Sequence, residues 1–496
     1  MTERFRKVRS VRGWLPAAAF LLYAVLLAHY MGAYAGGSDS SGYLNNARLL
    51  SEGRIIAPMR LVPGLEPRTL PPYTHVPLGF IPNPDHVTMT PTYPMGLPLL
   101  LASMAAVTGW VLAPGLVIGL HALLGLWLVY LLAREVGLEP GWARLGVLAL
   151  AASPLYFGMS LQMMSDVPAL VWVVAAVWCA LRSRSRSGMA GMAGMALAVA
   201  VLVRPTNLLA VAPVAIALGF SLRRWLLLIL GGMPGAVLLG IINHAAYHRI
   251  FTTGYGDVAG IFGAQYVPVT LIFYLAWLPM VLTPLVFLAA GIPLLFRRQR
   301  GMVVMLAAWI LVFLVFYLFY RHTHEMWWYL RFLLPAFPAL IVAALLVARA
   351  LTGKLRMAPS PRGLAVAGLL ILIYSVAWCR HYYVHHVGSG EAVYPLTAAW
   401  SRENLPSAAV VAAMQTSGAL FYYTDLTILR WDLIGPDDFR RIAAACRTAG
   451  RPLYAVLFPN EIEEDNAFTE HLPGTWTKIG AVRQVTVWRY DSPTPP

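Results

Sequence analysis

Long apolar runs separated by short basic clusters constrain this chain more than any other feature of its sequence. Several runs have about 20 residues, which is the length that an α-helix needs to cross the hydrocarbon core of a bilayer. Charged residues make up only 12% of the chain, whereas about a quarter of the residues in soluble domains are charged. The sequence therefore predicts a polytopic α-helical membrane protein.

The basic residues that give the chain a net charge of +15 lie mainly at the ends of apolar runs. They are not gathered on one soluble surface among aromatic residues, so nucleic-acid binding is excluded. Cytoplasmic loops of membrane proteins are enriched in Arg and Lys, so these clusters indicate orientation. With a cytoplasmic N-terminus the alternation is self-consistent and gives about eleven crossings. The predicted cytoplasmic clusters are Arg134 with Arg144, Arg182 with Arg184 and Arg186, Arg223 with Arg224, Arg297 with Arg298 and Arg300, and Lys354 with Arg356 and Arg362.

The N-terminal apolar run, residues 14–35, follows a basic stretch at residues 4–12. It is longer than the apolar part of a cleaved signal peptide, which has about 7 to 15 residues, so we predict a signal anchor that forms the first crossing. A polar, proline-rich stretch at 36–93 is the predicted first external loop. The apolar stretch 94–109 is too short to cross and is predicted to be re-entrant or juxtamembrane, with the next crossing at 111–133.

The C-terminal part of the chain differs in composition, because its hydrophobicity falls from about residue 388 onward. We therefore divide the chain into a transmembrane domain, 1–387, and a small soluble α/β domain, 388–496, outside the membrane. No Gly-rich phosphate loop and no metal-ligand spacing occurs in this domain, so no chemistry is assigned to it. Its predicted elements are strands at 408–414 and 453–458, an amphipathic helix at 436–448 and an edge strand at 482–490.

Asp39 is the first carboxylate after the first predicted crossing and lies in a polar turn, residues 36–43, with the sequence GGSDSSGY. An acid at this position can be a solvated loop residue. The following segment, 44–52, is predicted to be helical, which places Asp39 near a helix N-terminus, where the helix dipole favours an ionised carboxylate. An ionised carboxylate at the membrane surface suits a general base or a metal ligand.

The residues around Asp39 resemble a known family. Together with Tyr43, Ala47 and Gly53 and the sequence TYPMGLP at 92–98, Asp39 is similar to the first external loop of integral-membrane GT-C glycosyltransferases. The nearest branch is the protein-mannosyltransferase-like one, which comprises glycosyltransferase family 39 and its bacterial relatives that act on lipopolysaccharide. Further motifs match in order over most of the membrane part, and they are SDVP at 165–168, RPT at 204–206, TGYG at 253–256 and RFLLP at 331–335.

The resemblance implies a GT-C fold and the transfer of a sugar from a polyprenyl-phosphate-linked donor to an acceptor hydroxyl on the extracytoplasmic face, with inversion. Asp39 would be the general base, a role that typically contributes about 10²- to 10⁴-fold, and Tyr93 would bind substrate. The acceptor would be a protein, lipopolysaccharide or another glycolipid. The expected location is the inner (plasma) membrane, with the C-terminal domain in the periplasm. Many relatives carry two adjacent acids where this chain has Asp39 and Ser40, which leaves a divalent cation at this position open.

The lipid phosphate that leaves in this reaction gains negative charge, so the site needs cations or hydrogen-bond donors aimed at it. Arginines near a membrane surface also serve as interfacial anchors, but Arg204 and Arg331 interrupt apolar sequence, where a charge is costly. Arg331 is the preferred phosphate ligand because a guanidinium can bind phosphate bidentately. The candidates that the side assignment puts on the outer face are Arg204, Arg321, His322, His324 and Arg331, with Tyr255 and His244 as possible donors.

Three further features have two interpretations each. Asp166 is either a helix N-cap or a residue that holds acceptor hydroxyls or a divalent ion opposite Asp39. The RHTHE sequence at 321–325 offers metal ligands, but its histidines lack i, i+4 spacing and the aromatic residues that follow favour a membrane-interface belt. Arg204 separates two predicted apolar helices, 189–203 and 207–220, and the Gly- and Met-rich start of the first one is predicted to allow close helix packing.

A secondary transporter or lipid flippase is the main alternative, since such proteins have about twelve helices and broken segments. Transporters tend to keep charged pairs near the membrane midplane and to contain internal repeats. Here the polar candidates gather at one face and the first loop is not repeated, so a transferase is favoured. A non-catalytic receptor would leave Arg204 and Arg331 unexplained.

Overall fold

The structure is a computed structural model, and it describes residues 17–256, 258–355, 360–463 and 467–492. The predictions for the basic stretch 4–12, the first residues of the N-terminal run and Arg356 lie outside the described residues. The chain forms two compact units. The first contains the described residues of Met1–Met31, Gly115–Leu238 and Asp257–Val387, and the second contains those of Gly32–Pro114, Leu239–Gly256 and Gly388–Pro496.

Helices make up most of the described chain. In chain order they are α1 (Ala17–Tyr30), α2 (Ser38–Ser51), α3 (Gly96–Glu135), α4 (Pro140–Ala152), α5 (Pro154–Met159), α6 (Asp166–Arg182), α7 (Met189–Val203), α8 (Val211–Leu218), α9 (Leu222–Tyr247), α10 (Val267–Leu282), α11 (Phe296–Leu318), α12 (Phe337–Lys354), α13 (Pro361–His381), α14 (Val387–Glu391), α15 (Val393–Asn404), α16 (Ser417–Tyr423), α17 (Pro436–Thr448), α18 (Pro459–Glu463) and α19 (Ala467–His471). The longer 3-10 segments are Pro205–Ala210, Pro284–Leu295, Arg321–His324 and Trp327–Ala336.

Long apolar helices make up most of the first unit, and two of them, α3 and α9, extend into the second unit. A polytopic helical membrane protein is thereby confirmed, while the number of about eleven crossings stays a prediction. Among the described residues, six stretches are long and apolar enough to cross a bilayer, and they are Gly96–Glu135, Leu222–Tyr247, Ala264–Leu282, Pro284–Leu318, Trp327–Lys354 and Pro361–His381. Shorter apolar helices occupy Ala17–Tyr30, Met189–Val203 and Pro205–Leu218.

Two interruptions of apolar sequence appear where the sequence predicts them. Gly109 breaks α3 with a φ of 77° and a ψ of 165°, between the predicted short stretch 94–109 and the predicted crossing 111–133. A positive φ costs glycine little because it has no Cβ. Arg204 ends α7 in an extended conformation (φ −152°, ψ 113°), because Pro205 disfavours helical geometry in the residue before it.

Glycines allow α7 and α9 to pack closely, as the Gly- and Met-rich run predicts. A Cβ on Gly194 would overlap the backbone carbonyl of Leu228, and a Cβ on Gly231 would overlap that of Gly191. Small residues that let two backbones approach are typical of helix contacts in membranes. The packing of this helix pair therefore depends on the missing side chains.

We expect Gly194→Leu to destabilise the protein by about 1 to 3 kcal/mol or more, because the new side chain has to push α9 away from α7. Gly188→Leu is the matched control, since a Cβ at Gly188 meets no atom within 4 Å. Thermal unfolding of both purified variants in detergent measures the difference. Equal unfolding temperatures for the two variants would contradict the packing assignment.

The second unit contains two sheets. The strands are β1 (Ala57–Pro58), β2 (Phe80–Pro82), β3 (Thr88–Pro91), β4 (Val410–Ala412), β5 (Thr427–Leu429), β6 (Leu453–Leu457), β7 (Thr475–Val482) and β8 (Val485–Ser492). The first loop forms a three-stranded antiparallel sheet in the order β1-β3-β2. The C-terminal segment forms a mixed five-stranded sheet in the order β5-β4-β6-β8-β7.

The predicted edge strand at 482–490 is an interior strand. It corresponds to β8, which pairs antiparallel with β6 on one side and with β7 on the other. The prediction was wrong because alternating polarity reports which face of a strand is buried and not which neighbours flank it. The predicted runs 408–414 and 453–458 do contain the strands β4 and β6, and both are buried throughout.

The first loop and the C-terminal segment interlock within the second unit. The Asn45 side chain donates to the Gly418 carbonyl at 3.0 Å, and the Leu78 amide donates to Ser417 Oγ at 3.0 Å. The Arg430 amide donates to the Thr74 carbonyl at 2.9 Å. The α/β segment that starts at residue 388 therefore shares one compact unit with the first loop.

Candidate functional site

Asp39 lies in the first turn of α2, which begins at Ser38 and not at residue 44 as the sequence predicts. Gly37 precedes the helix in an extended conformation. The Ser41 hydroxyl donates to the Gly37 carbonyl at 2.7 Å, and the Gly36 amide donates to Ser40 Oγ at 3.1 Å. These two hydrogen bonds hold the serine side chains against the first turn of α2 and the residues just before it. Asp39 then lies where the helix dipole favours a negative charge.

The Tyr93 hydroxyl donates a hydrogen bond to Oδ1 of Asp39, with 2.7 Å between the oxygens. The Ser38 hydroxyl lies 2.7 Å from the same phenol oxygen. Since a phenol has one proton and Tyr93 gives it to Asp39, Ser38 donates to Tyr93. Burial, and then the charge of Asp39, raises the pKa of Tyr93 well above its usual value. The phenol therefore stays protonated and is a fixed donor to the carboxylate.

The Tyr93 ring is enclosed by a glycine and two other tyrosines. A Cβ at Gly42 would overlap the Tyr93 ring, so α2 can approach the ring only with glycine at this position. The ring centroids of Tyr43 and Tyr255 lie 5.0 Å and 6.1 Å from that of Tyr93. Tyr255 meets Tyr93 edge-on and is 45% exposed. The second unit therefore brings together three predicted candidates, Asp39, Tyr93 and Tyr255.

Glu391 is a second carboxylate near Asp39, and no sequence motif marks it. It packs against the backbone of Gly36, where a Cβ would overlap Oε2 of the glutamate. Burial, and then the negative charge of Asp39, raises the pKa of Glu391 to about 7. The resembled family often has a second acid directly after the first, where this chain has Ser40. In this chain the C-terminal segment supplies a carboxylate near Asp39 instead. Only a motif that joined residues far apart in sequence could have found it.

We expect Glu391→Gln to reduce the loss of stability that the wild-type protein shows as the pH rises from about 5 to about 8. The pKa of Glu391 is raised from 4.5 to about 7, so the folded chain binds this proton more tightly than the unfolded chain does. Its contribution to the free energy of unfolding is complete below about pH 4.5 and is lost as the pH rises through about 7. The contribution is on the order of 3 kcal/mol. Glutamine has no such proton to lose.

Thermal unfolding of the purified protein in detergent across this pH range measures the effect of Glu391→Gln. Glu403→Gln on α15 is the control, because the side chain of Glu403 is exposed. If Glu391→Gln retains the pH slope of the wild type, the Glu391 carboxyl is not the group that titrates.

Asp166 is the first residue of α6 and is buried, with 1% of its surface exposed. Its Oδ1 accepts a hydrogen bond from Nη2 of Arg204 at 2.7 Å, and the same nitrogen lies 3.1 Å from Ser165 Oγ. Oδ2 of Asp166 has no hydrogen-bond partner among the described residues. The N-cap interpretation of Asp166 is wrong, because Ser165 occupies that position. A buried charge needs a counter-charge, and Arg204 supplies it.

Arg204 and Arg331 approach the same aromatic ring in the first unit. Their guanidinium carbons lie 5.7 Å and 5.5 Å from the centroid of Phe332. Arg331 also lies 5.7 Å from the centroid of Tyr329. Burial raises the pKa of Tyr320 to about 12, while Arg331 and Arg204 act in the opposite direction. The first unit therefore gathers three predicted candidates, Asp166, Arg204 and Arg331, and we call this group with Phe332 and Tyr320 the arginine cluster.

Arg321 and His324 make their contacts outside the arginine cluster. The Arg321 side chain is 59% exposed, and its Nε lies 3.9 Å from Oε1 of Glu325. His322 also contacts Glu325, at 2.9 Å, whereas Nδ1 of His324 lies 3.2 Å from Oγ1 of Thr270. The two histidines thus have different partners. Among the described residues, no group of three or more His, Cys, Asp or Glu side chains could hold a metal ion.

The two positions named for a divalent cation differ in how well they suit one. At Asp166 a metal would have to displace the Arg204 guanidinium from a buried carboxylate, so the residues there do not fit it. At Asp39 the Glu391 carboxylate is a second oxygen donor, and these two residues are the ones that would hold a cation. A cation at Asp39 stays a prediction.

These elements together form the fold of the GT-C class of integral-membrane glycosyltransferases, as comparison with solved structures shows. The chain is similar to ArnT from Cupriavidus metallidurans bound to undecaprenyl phosphate, at 15% identity and a TM-score of 0.59 over 98% of this chain and 99% of that one. It is also similar to the oligosaccharyltransferase AglB from Archaeoglobus fulgidus in complex with an inhibitory peptide and a dolichol-phosphate, at 14% identity and a TM-score of 0.53 over 91% of this chain and 70% of that one.

A third similar structure is the arabinofuranosyltransferase AftD from Mycobacteria, at 15% identity and a TM-score of 0.52. The match covers 97% of this chain and 40% of AftD. No protein-family model matches the chain, and no curated protein sequence matches it. The predicted fold is confirmed, and the similarity extends over nearly the whole chain.

Proposed function

We propose that this protein is a membrane glycosyltransferase that moves a sugar from a polyprenyl-phosphate-linked donor to an acceptor hydroxyl, with inversion at the anomeric carbon. The observation that carries the proposal is the hydrogen bond from the buried Tyr93 to Asp39 at the start of α2. The fold supports it, since ArnT and AglB were solved with undecaprenyl phosphate and dolichol-phosphate, respectively.

Asp39 is the general base of the proposed reaction. An acceptor hydroxyl is a poor nucleophile until a positioned group removes its proton as the new bond forms. The Tyr93 hydroxyl donates to Oδ1 of Asp39 and so orients the carboxylate of the proposed base. The acceptor oxygen attacks the anomeric carbon from the face opposite the departing phosphate, which gives inversion.

Arg331 is the proposed phosphate ligand. Arg204 is committed to the buried carboxylate of Asp166, so the charge of that pair is largely neutralised. The guanidinium of Arg331 lies beside the rings of Phe332 and Tyr329, which restrict its orientation. A guanidinium held in this way can stabilise the negative charge that develops on the leaving phosphate.

The remaining parts of the proposal concern location and substrates. The reaction takes place on the extracytoplasmic face of the inner membrane, where the alternation of basic clusters puts Asp39 and Arg331. The acceptor is a protein, lipopolysaccharide or another glycolipid.

We expect Asp39→Asn to lower sugar transfer by about 10²-fold or more, because asparagine cannot accept the proton. The assay uses purified protein in liposomes with a polyprenyl-phosphate-linked sugar and an acceptor lipid. Glu66→Gln is the control, since Glu66 is an exposed acid of the same loop. Full transfer by Asp39→Asn would overturn the general-base assignment. Donor movement across the bilayer without any transfer would favour the flippase alternative.

We expect Arg331→Ala to weaken binding of undecaprenyl phosphate by about tenfold or more, because a charge-assisted contact to phosphate is lost. Arg321→Ala is expected to change it by less than about threefold, since the exposed Arg321 pairs with Glu325 at the surface. Binding to both purified variants is measured by microscale thermophoresis. A larger loss in Arg321→Ala than in Arg331→Ala would reverse the assignment of the phosphate ligand.

A further inference from the structure

A polar groove of about 410 Å³ lies in the second unit and includes the C-terminal end of α2. It has no part in the base or phosphate chemistry proposed above. Its volume is in the range of small-molecule sites, and its walls come from both the first loop and the C-terminal segment. Its lining includes Asn45, Arg48, Glu52, Arg54, Tyr422 and Asp425.

The groove carries a net positive charge. Arg54 pairs with Glu52, and Arg60 lies 3.6 Å from Asp425. Arg48 has no carboxylate within ion-pair distance among the described residues. One guanidinium charge at the groove is therefore not compensated by any acid among the described residues of this unit.

Arg48 is held in a fixed orientation. Its guanidinium carbon lies 3.5 Å from the centroid of the Tyr422 ring, and its Nη1 donates to the Tyr422 carbonyl at 2.6 Å. The Trp110 ring lies 5.9 Å from the same carbon. A guanidinium has five N–H donors, so the bond to the Tyr422 carbonyl uses only a small part of the donors of Arg48. Such a stacked, preorganised arginine suits an anionic group.

Arg60 has a different role, because it forms the wall of the groove. Its guanidinium donates to the carbonyls of Thr424 at 2.6 Å and of Leu426 and Phe421, both at 3.2 Å. These bonds hold the chain just after α16 against the first loop. Arg48 and Arg54 are consequently the arginines whose removal changes the charge of the groove without opening this wall.

The acids at the rim indicate more than a simple anion site. Glu52 and Asp425 are both exposed and carry carboxylate oxygens that can only accept hydrogen bonds, whereas the guanidinium groups of the arginines can only donate them. A small inorganic anion would gain nothing from the acids and would be repelled by them. A sugar has many hydroxyls, each of which can both donate and accept, so it would use both kinds of group.

The groove lies on the same helix as Asp39, the proposed general base. Asp39 and Arg48 lie nine residues apart on α2, so Arg48 is roughly 13 Å further along the helix axis. An oligosaccharide of a few units can span such a distance. We propose that the groove binds a saccharide that carries an anionic substituent, phosphate or carboxylate, as the part of the acceptor remote from the reacting hydroxyl. This inference rests on the proposed function and deepens it.

The test measures binding without any sugar donor, so that it does not depend on catalysis. The full-length protein in lipid nanodiscs is titrated by calorimetry with cellobiose, cellobiose 6-phosphate, cellobiouronic acid and inorganic phosphate. We expect the two charged disaccharides to bind about tenfold or more tightly than cellobiose and than inorganic phosphate. A preference between the two charged sugars identifies the substituent.

Variants show whether the charged disaccharides bind in the groove or elsewhere on the protein. Arg48→Gln and Arg54→Gln are expected to weaken binding of the charged disaccharides by about tenfold, and Arg54→Gln leaves the contacts of Arg48 to Tyr422 intact. Arg68→Gln is the matched control, because Arg68 is exposed in the same loop and outside the groove. Asp39→Asn is expected to retain binding, so failure of the base assignment and failure of the groove are distinguishable.

Two results would overturn the inference. One is equal binding of cellobiose and its charged derivatives, which would remove the role of the arginines. The other is an equal effect of Arg54→Gln and Arg68→Gln, which would place binding elsewhere.

Discussion

The hydrogen bond from Tyr93 to Asp39 is the interaction on which the second unit is organised. A buried phenol has to donate its proton, and Asp39 is the acceptor within reach. The bond forms only because Gly42 lets the Tyr93 ring lie directly on α2. Its partner Asp39 lies in the first turn because the helix begins at Ser38. The position of the Asp39 carboxylate relative to Tyr93 therefore depends on a close contact at Gly42 that tolerates no side chain.

Charge neutralisation organises the first unit in a comparable way. An unpaired arginine in apolar surroundings costs several kcal/mol, and the ion pair with Asp166 offsets part of that cost for Arg204. In the proposed reaction Arg204 pairs with Asp166, and Arg331 is the proposed phosphate ligand. Phe332 lies beside both guanidinium groups and keeps them in one region of the unit. The proposal thus gives the two arginines different roles.

Helix α2 carries residues of both the proposed base and the proposed saccharide groove. Its first turn carries Asp39 and its last turn carries Arg48. A helix is stiff over this length, so the reacting hydroxyl and a remote anionic group of one acceptor would have to match a fixed spacing of roughly 13 Å. The C-terminal segment contributes to both ends, with Glu391 near Asp39 and Tyr422 under Arg48. Selectivity and proton transfer would then depend on the same interlocked unit.

The sequence by itself determined those features that have local causes. Apolar length matched to the bilayer predicts the membrane helices, Pro205 forces Arg204 out of the helix, and Gly109 supplies the positive φ that divides α3. The family motifs also named Asp39 and Tyr93, which the structure brings into contact. Only the tertiary structure decided that Glu391 lies near Asp39, that β8 is an interior strand and that Arg321 is exposed. Each of these depends on which distant segments pack together, and a contact between distant segments leaves no periodic pattern in either of them.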